Sequence, residues 1–125
     1  MTDNLKVKKM KDRELRGKWM RALRSGKYKQ GSSQLVYPTD TGGYQYCCLG
    51  VLASILGAEV KGIRDHNGHI DYYMVHGGSK ALEMLGPKMT KLSGLNDATQ
   101  KKLATLNDDE CLNFNQIADF IRDEL

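Results

Sequence analysis

Two adjacent cysteines, Cys47 and Cys48, stand where a polar segment gives way to the apolar run Leu49-Gly-Val-Leu-Ala53. A cysteine at a helix N-terminus has its thiolate stabilised by the helix dipole, a common route to a nucleophilic thiol. Cys48 fits that position. His69, 21 residues downstream, is the histidine that would serve as its base, since such a pair needs proximity only in space. The plainer reading makes both cysteines small buried hydrophobes at a strand-to-helix corner. Neither a metal nor a cofactor is expected. No Cys-x-x-Cys pair is present, and Cys47, Cys48, Cys111, His66, His69 and His76 do not show ligand spacing.

A second chemistry lies in Lys29-Gln-Gly-Ser-Ser-Gln34, which combines a cation, two amides, two hydroxyls and a glycine. Such a loop can present side-chain donors and backbone N–H groups to an anion. It lacks the Gly-x-x-x-x-Gly-Lys spacing of a phosphate-binding loop. Tyr28, Tyr37, Tyr44 and Tyr46 surround it, and their faces could stack a nucleobase. Tyrosines on a hairpin are equally ordinary core and rim residues. The three histidines fall in a polar, glycine-rich stretch, where they read as exposed turn residues or as readers of a phosphate or base edge.

The elements that must position these groups follow from periodicity. Residues 1–10 read as a flexible basic arm, and residues 11–125 as one domain. A helix is expected over Asp12–Ser25, because Leu15, Trp19, Ala22 and Leu23 form one stripe while Arg13, Arg16, Arg24 and Lys27 fall opposite. Gln34–Tyr37 and Tyr44–Cys47 read as a hairpin around Pro38–Gly43. Cys48–Leu56 reads as a buried helix closed by Gly57. Gly62–Asp65 and Ile70–Val75 suggest a second hairpin around His66-Asn-Gly-His69. Further helices are expected over Ser79–Leu85 and Asp97–Leu106, and after a capping box at Asn113…Gln116. The expected fold is therefore α+β, a small antiparallel sheet of two hairpins packed against about four helices.

Composition sets the boundaries. The 125 residues are 40% hydrophobic and 27% charged, which fits one globular domain. No apolar run approaches the roughly 20 residues needed to cross a membrane. Met1–Lys11 has no apolar stretch with a cleavage site, so no secretory leader is expected. Three cysteines, two of them adjacent, make a poor disulfide framework and point to a reducing compartment. Residues 1–30 carry 11 Lys and Arg against three acids, a net +8, and the remainder carries 8 against 12, a net −4. A basic front on an acidic body suggests a polyanionic partner, or else a solvated face.

Three segments bear a likeness to known sequences: Trp19-Met-Arg-Ala-Leu-Arg-Ser-Gly-Lys-Tyr-Lys-Gln-Gly31, Tyr46-Cys-Cys-Leu-Gly-Val-Leu52, and Leu103-Ala-Thr-Leu-Asn-Asp108 followed by Phe114-Asn-Gln-Ile-Ala-Asp-Phe-Ile121. Together they resemble a family of small bacteriophage and prophage proteins. Many members have a further cysteine where this chain has Ala53, and that departure removes a thiolate that a metal site would need. The resemblance implies a phage origin, a compact domain, a cytoplasmic location in the infected bacterial cell, and binding rather than catalysis. It also gives Asn107 a place in a pocket lining, beside its ordinary role in turn and cap bonding. The short segment Cys48-Leu-Gly-Val-Leu52 is separately similar to the nucleophile segment of papain-like cell-wall peptidases.

The leading expectation is a non-enzymatic binding protein that sequesters or inhibits a host component, such as an anti-phage defence protein, through an anionic ligand such as a nucleotide signal. Its ligand-binding residues are expected to be Arg24, Lys29, Gln30, Gln34, Tyr44, Cys47 and Asn107. The alternatives are a cysteine hydrolase using Cys48 and His69, a nucleic-acid-binding protein, or a homo-oligomeric adaptor built on the first and last helices.

Overall fold

The computed structural model describes residues 6–125. Its first helix, α1 (Arg13–Arg24), begins where the Asp12 carboxylate accepts the Leu15 N–H at 2.9 Å, which satisfies one of the free donors of the first turn. Leu15, Trp19 and Leu23, spaced by four, are its buried stripe. Gly26 then takes φ 76°, the left-handed turn expected just past a helix. Of the expected basic arm, residues 1–5 lie outside the described residues. The part that follows lies against the body: the Lys8 N–H donates to Thr99 Oγ1 and the Met10 N–H to the Leu125 carbonyl, both at 2.9 Å, and Met10 is buried.

Strands β1 (Lys29–Gln30), β2 (Val36–Pro38) and β3 (Tyr44–Tyr46) form one sheet in the order β1-β3-β2. The β2–β3 pair is the expected hairpin in a shorter form, with Val36 opposite Tyr46 and Pro38 opposite Tyr44. Thr39 closes its turn by accepting the Thr41 and Gly43 N–H groups on its hydroxyl. β1 corrects the reading of Lys29–Gln34 as a plain loop, because its first two residues pair in parallel with β3. Gln34 lies before β2, and Cys47 is the N-cap of the next helix instead of a strand residue.

That helix, α2 (Cys48–Ile55), is buried all round from Cys48 to Ala53. Its uniform apolarity follows from its neighbours, since α1, α4 (Asp97–Asp108), β3 and β5 (Ile70–His76) all pack on it. Gly50 permits a further close approach, by the segment just before β2. A Cβ there would overlap the Leu35 carbonyl oxygen.

The second sheet contains β4 (Glu59–Arg64), β5 and β6 (Ser79–Ala81), all antiparallel. The helix expected over Ser79–Leu85 is replaced by β6 and bends. The reason is the pair Gly77-Gly78, at φ 56° and 90°, which closes a two-residue hairpin between His76 and Ser79. Positive φ at both central residues suits the twist of the flanking strands. The next helix, α3 (Pro87–Ser93), begins one residue beyond Gly86, with proline at a position where no N–H is needed.

α4 is capped by Asn96, and α5 (Phe114–Glu124) carries the expected capping box between Asn113 and Gln116. Helix α1 packs along α5, so their apolar stripes meet in the core of the chain itself. The architecture of the described residues is thus α+β: five helices around two three-stranded sheets, which touch through β2 and β5. Among the described residues no helix is long and apolar enough to cross a membrane.

Candidate functional site

The site is built around residues 30–37, where the chain leaves α1 and enters the first sheet. Its anchor is Asn107, on the last turn of α4 and 4% exposed. Its Oδ1 accepts from Gln30 Nε2 at 3.1 Å and from the Cys48 N–H at 3.3 Å. Its Nδ2 donates to the Gly31 carbonyl and to Asp108 Oδ1, both at 2.8 Å. One amide therefore ties β1, the start of α2 and the end of α4 together. Gln30 Nε2 also donates to the Leu112 carbonyl at 2.8 Å.

The loop beyond Gln30 is held at both ends. The Gly31 N–H donates to the Tyr46 carbonyl at 2.8 Å, and the Leu35 N–H to the Leu82 carbonyl at 2.9 Å. Between them the Tyr37 hydroxyl accepts the Ser32 N–H at 3.3 Å and donates to Gln45 Oε1 at 3.2 Å. Gly31 leaves room for this arrangement, since a Cβ would lie 2.8 Å from the Tyr37 hydroxyl and from Gln45 Cβ. Ser33 is a non-glycine residue at φ 71°. Such backbone persists only where its surroundings hold it, and it gathers at functional sites.

Two cavities flank this loop and share Ser32 and Tyr37. The first, about 440 Å³, lies between the two sheets and takes in Gln34, His69, Asp71 and Tyr72. The second, about 410 Å³, is lined by the side-chain amides of Gln30, Gln45, Asn107 and Asn113, with Cys111 beside them. Together they form a groove lined by amides and hydroxyls, the rings of Tyr37 and Tyr72, and the His69–Asp71 pair. His69 Nε2 lies 3.0 Å from Asp71 Oδ1, which orients the imidazole at the groove's edge.

The residues singled out from sequence divide accordingly. Gln30 and Asn107 meet in the second cavity, and Gln34 lines the first. Tyr44 is 40% exposed and sets its ring edge against Tyr72, with centroids 6.2 Å apart. Lys29 is exposed on β1. Arg24 lines a separate cavity with Gln30 and Asn113, and there it pairs with Asp119 at 2.6 Å and donates to the Asn115 carbonyl at 3.3 Å, on α5. Cys47 is buried, and its thiol is pushed up to about 11 by that burial, which outweighs the N–H groups of the helix start.

Cys48 and His69 do not meet. Cys48 is fully buried, with Sγ 3.7 Å from the Leu103 carbonyl and its thiol held well above the usual range by burial, then by Cys47 and Asp108. Its helix-start position is as expected, but burial overrides the dipole. The His69 side chain is 69% exposed and bonded to Asp71. Tyr72, Asp71, Gln45 and Asn113 were missed as site residues. Tyr72 and Asp71 were open to inference from their closeness to His69, whereas the sequence marks Asn113 only as a helix cap and Gln45 not at all.

A family model described as a domain of unknown function, DUF8296, matches residues 10–76. The chain belongs to this family. None of the curated proteins and none of the solved structures compared matches it. The matched span runs from the residues before α1 to the end of β5 and includes every residue of the first cavity. Asn107, Cys111 and Asn113 of the second cavity lie beyond it.

Proposed function

We propose that this member of the DUF8296 family is a phage-type, non-catalytic binding protein that sequesters a nucleotide-like ligand and so acts against a host component. The observation that carries this reading is the groove across Ser32 and Tyr37, lined by the rings of Tyr37 and Tyr72 together with amides, hydroxyls and the His69–Asp71 pair. Stacking on a tyrosine is worth about 1–3 kcal/mol per base and tolerates any base. The amides of Gln34, Gln45 and Asn113 add the paired donors and acceptors that read a base edge. His69, paired with Asp71, stands in the same lining and can offer its second ring nitrogen to a ligand. The buried, proton-retaining thiols of Cys47 and Cys48 argue against a thiolate mechanism in the same molecule.

Native mass spectrometry of protein purified from bacterial cells, set against its denatured mass, tests the reading. A small adduct of nucleotide mass that is lost on denaturation supports it. Titration calorimetry with that nucleotide should then show at least tenfold weaker binding for Gln34→Ala combined with Tyr72→Leu. A clean apo mass, together with no heat from a panel of mono-, di- and cyclic nucleotides, would turn the search to a protein partner.

A further inference from the structure

At the opposite end of α1 a different surface gathers charge. A cavity of about 300 Å³ is lined by Lys8, Lys9 and Lys11 of the N-terminal segment and by Lys91 of α3. The one acid in its lining, Asp12, already accepts the Leu15 N–H as the cap of α1. All four lysines are exposed, and among the described residues none of them forms an ion pair. The cluster is a product of the fold, because Lys91 is 80 residues from Lys11 in the chain. The N-terminal segment is fixed in place through its backbone: the Lys8 N–H donates to Thr99 Oγ1, the Met10 N–H donates to the Leu125 carbonyl, and the Lys6 carbonyl accepts from Asn96 Nδ2.

Four ammonium groups held together against a single carboxylate raise the local potential and collect anions. A second cavity adjoins the first, sharing Asp12 and Leu92, but its lining sets Lys18 beside Glu14, so the excess of positive charge belongs to the first. Four ammonium groups in one cleft can meet successive phosphates of a backbone, and Leu92, 48% exposed between the two cavities, offers an apolar contact. Lysines are flexible point charges, and this surface has no arginine fork or side-chain amide among its lining residues to read a base edge. We infer that the cleft of Lys8, Lys9, Lys11 and Lys91 is a docking site for the phosphate backbone of nucleic acid, independent of sequence. It is separate from the groove at Ser32 and Tyr37 and stands whether or not that groove binds a nucleotide.

Fluorescence anisotropy with two fluorescein-labelled 20-base-pair DNA duplexes of unrelated sequence tests the assignment. Four neutralised phosphates give a slope near −3.6 in log K against log salt, so affinity should fall on the order of a hundredfold between 50 and 200 mM NaCl, equally for both duplexes. The variant with Lys8, Lys9, Lys11 and Lys91 all changed to Gln should lose most of its binding at 50 mM and most of the slope. A control with Lys61, Lys80, Lys101 and Lys102 changed to Gln has the same net charge and should bind within a few fold of the unaltered protein. Equal loss in both variants would overturn the site in favour of net charge alone. Failure of the unaltered protein to bind either duplex, or competition-proof binding of sodium tripolyphosphate without duplex binding, would overturn it as well.

Discussion

Changing Asn107 to Ala removes a side chain that satisfies two buried main-chain groups at once, the Cys48 N–H and the Gly31 carbonyl. Leaving a buried polar group without a partner costs about 1–3 kcal/mol. Two such groups, eased by water entering from the adjoining groove, put the expected loss near 3 kcal/mol. For a chain of 125 residues that corresponds to a fall of about 10 °C in Tm. Asn107→Asp is the sharper variant. It keeps an acceptor for Cys48 and Gln30 but turns an oxygen toward the Gly31 carbonyl, beside the Asp108 carboxylate. Burial and that neighbour favour the protonated form of the introduced carboxyl, so the folded state binds a proton that the unfolded state has lost. Stability relative to the unaltered protein should then be greatest near pH 4 and decline as pH rises toward 7. Urea unfolding followed by circular dichroism at pH 4.5 and 7.5 measures both effects. A loss under 1 kcal/mol for Asn107→Ala, or no pH-dependent difference for Asn107→Asp, would refute the role of this amide as the tie between β1, α2 and α4.

Gly50→Ala and Gly17→Ala should have opposite signs in thermal melts. The first drives a methyl into the Leu35 backbone and should cost about 3 kcal/mol, whereas the second meets only the flexible end of Arg21 and should gain up to about 1 kcal/mol from helix propensity. Iodoacetamide should label exposed Cys111 in the native protein but Cys47 and Cys48 only at the rate of unfolding, as peptide mapping would show. Because the folded Cys47 thiol titrates near 11 against an ordinary value of 9.0, stability is full below pH 9 and should drop by about 3 kcal/mol as pH rises through 11. Trp19→Phe deletes the indole donor to the Cys48 carbonyl, 2.9 Å away and buried, and should cost about 1–3 kcal/mol in urea titrations.

Local signals in the chain determined much of the architecture. Asp12 with the Leu15–Trp19–Leu23 stripe specifies α1, and the Asn113–Gln116 box specifies α5, because capping and helical periodicity act within a few residues. Asn67-Gly68 marked the β4–β5 turn for the same reason. Gly77-Gly78 carried an equally local signal for the turn into β6, although residues 79–85 read as a helix. The basic front was also plain from sequence, as a net charge.

Only the tertiary structure decided which of these residues meet. A two-residue strand such as β1 has no periodicity of its own and exists because β3 offers it an edge. The thiols of Cys47 and Cys48 sit at a helix start that sequence alone would read as activating, yet the packing of α1, α4 and the sheets around α2 keeps them protonated. Asn107 reads locally as a helix-end residue, and its importance comes from partners 59 and 76 positions away. Lys91 joins Lys8, Lys9 and Lys11 only through the docking of the N-terminal segment on α4 and the C-terminus. Burial, long-range hydrogen bonds and convergent charge are properties of distance in space, and no spacing along the chain encodes them.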